Sequence, residues 1–398
     1  MFGLNPSYGT LMRDNDARKC PEERRKGCSE RRLVTFACQA HMIEAARRLF
    51  PAGEQMLELG SRGLPRWFDG GEPRWFVPAG GWRVRRSGSS IYPAFRRRAR
   101  AYRAALRAWI SLGGARFTHH TSVSGKGGWP LAELLLPDMP TLSTAAVSIG
   151  IPGPGQKITL RLMDDRGRVL GFAKYADRPY PRSLLANEAW LLERLPPNVG
   201  PRLVRFSPFL EGDLLVQTPL PGRPRTPKPR LDGPQIDFFE RLVQTTQTYT
   251  VHEHPFVRDL YSRAGERKDM FEAVVERFAE SEWPLSWLHG DMAPWNLHWR
   301  RGVCLAFDWE HGSQRGFPYL DAAATLIQVA SIIQRAEPPQ AKREVSEGIK
   351  PCLPARYEGL APALASLSAL NMLVSWYPPR PPDDYEVWLK EFVESPGG

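Results

Sequence analysis

Three polar side chains in one short stretch have the types and spacing to do chemistry together. They are Asp291, Asn296 and Asp308, within W-L-H-G-D-M-A-P-W-N-L-H-W-R-R-G-V-C-L-A-F-D-W-E at 287–310. A carboxylate, an amide five residues on, and a second carboxylate closing an apolar run suit phosphoryl transfer. That reaction asks little covalent work of a protein. It needs one carboxylate to orient the attacking hydroxyl, and ligands for a divalent metal that neutralises charge on the moving phosphate. The D-x-x-x-x-N spacing from Asp291 to Asn296 is that of a phosphoryl-transfer catalytic loop.

Such a set works only if the chain around it holds the three groups in place. Residues 285–288 are mostly apolar and lead into His289-Gly290, so the loop follows a short hydrophobic element. Residues 302–307 read as a buried strand that delivers Asp308 at its end, and 299–302 read as the hairpin turn before it. The competing explanation is a chance grouping of polar residues in a Trp-rich segment. Agreement of spacing, strand and turn weighs against it.

His289-Gly290-Asp291-Met292-Ala293-Pro294-Trp295-Asn296 and Phe307-Asp308-Trp309-Glu310 resemble the signature motifs of the aminoglycoside phosphotransferase and choline kinase group. Members of that group are small-molecule kinases. The resemblance implies an α+β, two-lobed, protein-kinase-like fold. The small β-rich N-lobe would span 135–222 and the larger helical C-lobe 223–398, with residues 1–130 as an N-terminal extension. It also implies ATP and Mg²⁺ as cofactors, Asp291 as catalytic base, and Asn296 and Asp308 as metal ligands. His289 would brace the loop. Asp321 matches a structural aspartate at a helix start, which is equally the place of a plain N-cap.

The resemblance requires an N-lobe upstream. Residues 145–150 and 157–163 read as strands, 164–167 as a hairpin turn, and 168–175 as a third strand carrying Lys174. A helix over 183–195 follows and carries Glu188. A strand lysine paired with a glutamate on the next helix is the kinase device for holding the α- and β-phosphates. Gly153 and Gly155 are candidate phosphate contacts in the loop 151–156. Pro152 and Pro154 depart from the usual glycine pattern and leave fewer N–H donors there. Residues 213–220 read as the strand entering the hinge, where adenine would meet backbone near Gln217 and Thr218.

Asp308-Trp309-Glu310 lacks the glycine of a D-F-G, and only twelve residues lie between Asp308 and Asp321. That leaves no room for an activation loop, so a small hydroxyl compound is the expected acceptor. Residues 231–398 hold 16 Lys+Arg and 24 Asp+Glu, a balance of −8, whereas 1–230 hold 38 and 19, a balance of +19. An acidic lobe favours a cationic acceptor such as an aminoglycoside or other amine. The candidate acids are Glu310, Asp232, Asp237, Asp259, Glu266 and Asp269. Sugars, amino alcohols and glycan precursors satisfy the same motifs. The alternative is a catalytically inactive protein of kinase-like fold that senses nucleotide or binds a membrane or nucleic acid, and the complete residue set argues against loss of chemistry.

At 398 residues the chain exceeds one typical domain, and 42% hydrophobic residues suit an ordered globular protein. No apolar run is long enough to span a bilayer and Met1–Asp16 lacks a signal pattern, so a cytoplasmic location is expected. Five irregularly spaced cysteines suggest reduced thiols, with Cys20, Cys28 and Cys38 lacking metal-site spacing. Residues 35–50 read as a helix and 55–60 as a strand, while Trp67, Phe68, Trp75, Phe76 and Trp82 suggest short strands or an irregular subdomain. In 92–110, Phe95, Ala99, Tyr102, Leu106 and Trp109 recur at helical spacing among Arg96, Arg97, Arg98, Arg100, Arg103 and Arg107. Such a basic helix either packs its apolar stripe on the protein or lies on an anionic membrane. Packing is the expected reading, with peripheral membrane contact as the alternative and no specific nucleic-acid partner. His252 and His254, two apart on a loop, are read as carrying no metal role. The Pro-rich 378–382 read as an ordered loop.

Overall fold

The computed structural model describes residues 41–46, 48–50, 55–59, 74–91, 97–112, 120–122, 129–279, 281–376 and 384–396. Residues 41–46 are helical, within the helix expected over 35–50. The small lobe then runs β1 (Gln55–Leu59), β2 (Trp75–Pro78), α1 (Trp82–Gly88), α2 (Arg97–Ser111), β3 (His120–Ser122) and α3 (Pro130–Leu135). It continues through β4 (Thr144–Ile149), β5 (Ile158–Met163), β6 (Val169–Ala176), α4 (Pro179–Leu192), β7 (Leu203–Phe209) and β8 (Gly212–Gln217). The strands form one eight-stranded sheet in the order β3-β1-β2-β4-β5-β6-β8-β7.

Alternation of side chains explains what this sheet positions. On β6, Ala173 and Tyr175 enter a core with Leu160, Leu162, Leu214 and Val216. Ala176 lies on the opposite face, in the core shared with α4 and the large lobe. Lys174 is two residues before Ala176, so the strand period of two turns it the same way. The tight β5–β6 turn is fixed by Asp164, whose Oδ1 accepts from the N–H groups of Arg166 and Arg168.

The boundary expected near residue 130 does not divide the structure. β2 pairs with β4 (Trp75 opposite Ser148, Phe76 opposite Val147), so β1 to β3 widen the N-lobe sheet rather than standing apart. Trp75 and Phe76 are regular strand residues, and Trp82 opens α1. Helix α2 buries Leu106 and Ile110 against Leu57, Trp75, Val77, Ala146 and Met163, which is the packing expected of an amphipathic helix. Residues 92–96, the side chains of 97–100, 102 and 103, Ser61 to Gly63, Trp67, Phe68, the first three cysteines and 378–382 lie outside the described residues.

The large lobe comprises α5 (Gly233–Leu242), β9 (Val243–Thr250), α6 (Pro255–Arg263), α7 (Lys268–Val275), β10 (Glu282–Leu288), β11 (Leu297–Arg300) and β12 (Val303–Ala306). β13 (Ser313–Gly316), α8 (Leu320–Gln328), α9 (Pro338–Ile349), α10 (Ala361–Trp376) and α11 (Asp384–Glu394) complete it. Every residue of α8 is buried, which makes it the spine of this lobe. β11 and β12 form the expected hairpin, and β13-β10-β9 form a second small sheet. The whole is a two-lobed α+β fold, a β-rich small lobe followed by a larger, mainly helical one. Among the described residues no helix is long and apolar enough to cross a membrane.

Three boundaries differ from expectation for local reasons. Helix α4 begins at Pro179, not 183, and ends at Leu192, because prolines are tolerated in a first turn that has no intrahelical N–H partners. β8 stops at Gln217, ahead of Pro219, which lacks a donor for the ladder. β10 begins at Glu282 and accommodates Pro284 where its register with β9 shifts.

Candidate functional site

The lysine–glutamate pair forms. Lys174 Nζ donates to Glu188 Oε1 at 2.7 Å and Oε2 at 2.6 Å, and it also donates to Asp308 Oδ1. All three side chains are at most 4% exposed. Three buried ionic groups are stable only as a mutually paired set. Burial opposes the charge on Lys174, but Asp308 and then Glu188 outweigh it and hold its ammonium above the ordinary range. Burial likewise opposes ionisation of Asp308, yet Lys174 and then Lys157 keep it well below the carboxylate range. Asp308 itself sits at φ 73°, a left-handed conformation uncommon outside glycine and typical of functional turns.

The catalytic-loop candidates are fixed by a chain of hydrogen bonds. Asp321, in the first turn of α8, accepts from the backbone N–H of His289 (2.5 Å) and of Gly290 (3.2 Å). His289 Nε2 lies 2.8 Å from the Phe307 carbonyl, and Nδ1 accepts from the Asp291 N–H at 3.3 Å. Together these require the neutral tautomer with the proton on Nε2. Burial agrees, pushing the His289 pKa down to about 4. His289 thus ties the residue before Asp308 to Asp291. Gly290 is required by space: at φ 80°, a Cβ there would lie 2.2 Å from the His311 carbonyl oxygen.

Asn296 donates from Nδ2 to the Asp291 carbonyl at 2.9 Å, while its Oδ1 is buried with no protein partner. An orphaned buried acceptor is costly unless something binds it. Beside an ionised Asp308 it suits a hard divalent cation, which prefers oxygen ligands. Glu188, Asp308 and Glu310 also bring carboxylate oxygens within 4.8 Å of one another. Lys174 engages both oxygens of Glu188 and one of Asp308, so Asn296 and Asp308 remain the better pair. Asp291 is half-buried. Burial, and next the charge of Asp308, push its carboxyl up to about 7 against the opposing pull of Lys157. A base near neutrality is well matched to taking a hydroxyl proton at physiological pH.

Lys157 was not among the sequence candidates, yet it belongs to this cluster. It stands just before β5, pairs with Glu310 Oε2, and is pushed down to about 8, mainly by burial. Asn187 is a second such residue. From α4 its Nδ2 donates to the carbonyls of Glu310 and Gly312, both at 3.0 Å. No local spacing signals either one, since their partners lie far away in sequence.

The glycine loop and hinge are less telling. The carbonyls of Gly153 and Gln156 accept from Arg178, which fastens the loop to the start of α4. A Cβ at Gly153 would meet nothing, and one at Gly155 would touch Leu184 and Tyr180 at ordinary distance. The backbone there does not demand glycine for packing. Gln217 is buried in the ladder with Oε1 unpartnered. Thr218 commits both its N–H and its hydroxyl to Arg202.

Beside Gly290 lies a cavity of about 480 Å³ between α6, β13 and α10, with His311 at its catalytic end and Asp259, Arg263 and Arg315 on its walls. Of the candidate acids only Asp259 lines it. Asp232 instead caps α5 and pairs with Arg225 at 3.0 Å. His254 caps α6 by accepting from the Phe256 N–H at 3.2 Å, a structural role its spacing did not signal.

No family model matches the chain, and no curated protein matches it. Among solved structures it is similar to the amicoumacin kinase hAmiN in complex with AMP-PNP, Ca²⁺ and Ami, at 14% identity over 66% of this chain and 93% of that one, with a TM-score of 0.40. It is also similar to an aminoglycoside phosphotransferase from Streptomyces rimosus in complex with ADP and streptomycin, at 17% identity over 55% and 92%, TM-score 0.33. An ethanolamine kinase from Plasmodium vivax is similar at 8% identity over 62% and 81%, TM-score 0.33. What the site can do chemically rests on its own geometry.

Proposed function

We propose that this protein transfers the γ-phosphate of ATP, with Mg²⁺, to a hydroxyl group of a small molecule. The observation that supports this most is the single buried cluster in which Lys174 meets both Glu188 and Asp308, next to the loop bearing Asp291 and Asn296. Five residues from four separate segments would not converge in this order for packing alone.

In this reading, Lys174 holds phosphate oxygens and Glu188 keeps its ammonium aimed and charged. Asn296 and Asp308 would hold Mg²⁺, which when bound supplies charge neutralisation at the phosphates. Asp291 orients the acceptor hydroxyl and takes its proton as the new O–P bond forms and the bond to ADP breaks. His289 and Asp321 keep the loop at its angle. The absence of room for an activation loop favours a small acceptor over a protein.

The test is Mg²⁺-dependent transfer of labelled γ-phosphate into a pool of sugars, sugar acids, aminoglycosides and amino alcohols. Asp291→Asn is expected to lower transfer by about 10²- to 10⁴-fold while AMP-PNP still binds. Turnover that survives the substitution would remove Asp291 from the mechanism. Failure of the native chain to bind nucleotide would remove the phosphotransferase reading altogether.

A further inference from the structure

The charge of the cavity beside Gly290 differs in sign from that of the lobe around it. Residues 231–398 are acidic overall, which favours an amine as acceptor. An amine is recognised best by a carboxylate whose charge no neighbour matches, and among the described residues the lining of the cavity holds one carboxylate against two guanidinium groups. Its wall carboxylate, Asp259, is held by Arg263 through Nε at 3.0 Å and Nη2 at 2.8 Å. Both nitrogens reach the same oxygen, Oδ2, so the charge of Asp259 is already matched by one cation on its own helix.

The opposite wall carries a charge that nothing balances. Arg315 projects from β13, a strand fixed by its pairing with β10 and by Gln244 Nε2 donating to the Gln314 carbonyl at 2.6 Å. Among the described residues, no carboxylate comes within ion-pair distance of the Arg315 guanidinium. At the catalytic end, the Glu310 carboxylate is paired with Lys157. The rest of the wall is neutral and suited to hydroxyls: Arg263 Nη1 donates to Ser375 Oγ at 3.3 Å, and Ser375 bonds Asn371 Oδ1 at 3.2 Å. A cationic ligand would face two guanidinium groups, Arg263 and Arg315, against the one carboxylate of Asp259. A carboxylate or phosphate would meet a planar donor fork that matches its geometry.

We infer that this cavity selects hydroxyl compounds that also carry an oxyanion, a carboxylate or a phosphate ester, and that Arg315 is the residue that pairs with it. The inference rests on the proposed phosphotransferase reading for which hydroxyl is used, but the charge preference is measurable without turnover.

The experiment is calorimetric titration of the full chain, with saturating AMP-PNP and Mg²⁺, by four sugars of similar size: D-glucose, D-glucosamine, D-glucuronate and D-glucose 6-phosphate. At least one of the two anionic sugars is expected to bind about tenfold more tightly than the neutral and cationic ones, as one charge-assisted contact allows. Which of the two binds better distinguishes a carboxylate site from a phosphate site. Arg315→Gln is expected to erase the preference while leaving Tm unchanged, since the side chain is exposed. Glucosamine binding as well as the acids, a preference that survives Arg315→Gln, or no binding of either acid would each overturn the inference. Loss of AMP-PNP binding would instead strike at the phosphotransferase reading.

Discussion

At the scale of single residues, the site sets Lys157 and Lys174 against Glu188, Asp291, Asp308 and Glu310. Lys157 is the member whose removal is most informative, because it pulls the Asp291 carboxyl downward while burial and Asp308 push it up. Replacing it by methionine removes a cation and leaves Glu310 without its partner. Both changes favour the protonated form of Asp291. The acid limb of the kcat/KM profile of Lys157→Met is therefore expected to move to higher pH, by about one unit. An unmoved limb would show that Asp291 does not feel Lys157 during turnover. Asp291, Asn296, Asp308, Lys174 and Glu188 were legible because each follows a fixed spacing or sits on a recognisable strand or helix. Lys157, Asn187 and Arg315 were not, because their importance comes from neighbours on other elements, far from them in sequence.

At the scale of elements, helix α6 offers a clean test of how a buried histidine tunes stability. His254 is fully buried, caps the helix through Nδ1, and lies with its ring 4.8 Å from that of Phe317. Burial pushes its pKa down to about 4. In the unfolded chain a histidine titrates near about 6.5. Between these values the unfolded state holds the extra proton, so stability is whole above the upper one and falls as pH drops toward 4. One such group contributes a slope of up to about 1.4 kcal/mol per pH unit. His254→Asn keeps a cap acceptor and removes the titration. It is expected to lose about 1 kcal/mol at neutral pH and to show a shallower decline from pH 6.5 to 4.5, measured by urea unfolding at three pH values. Parallel declines would refute the assignment. Strands of the small lobe were legible from their apolar alternation and turn residues. β9, with V-Q-T-T-Q-T-Y-T, was not, because a sequence this polar becomes a strand only through its pairing with β10.

At the scale of the whole molecule, the N-terminal third is part of the machine. The sheet continues from β4 into β2, β1 and β3, and α2 covers Ala146 and Met163. No motif in that region announces this, since its pairing partners come later in the chain. A shortened chain beginning at residue 130 would turn β4 into an open edge and uncover its apolar face. Such a chain is expected either to aggregate or to melt about 10 °C or more below the full one, as read by scanning calorimetry. A chain that melts with the full one would show that the first strands add nothing to the lobe. The segment that follows Asp308 has a further consequence. Asn187 holds its carbonyls at Glu310 and Gly312, Lys157 holds the Glu310 carboxylate, and a Cβ at Gly312 would clash with the Leu288 carbonyl at 2.8 Å. A stretch pinned from both lobes has no second position to occupy. Under the proposed function this segment supplies no in–out switch, so turnover is expected to follow the supply of reactants and the amount of protein present, as in a constitutive device rather than a relay.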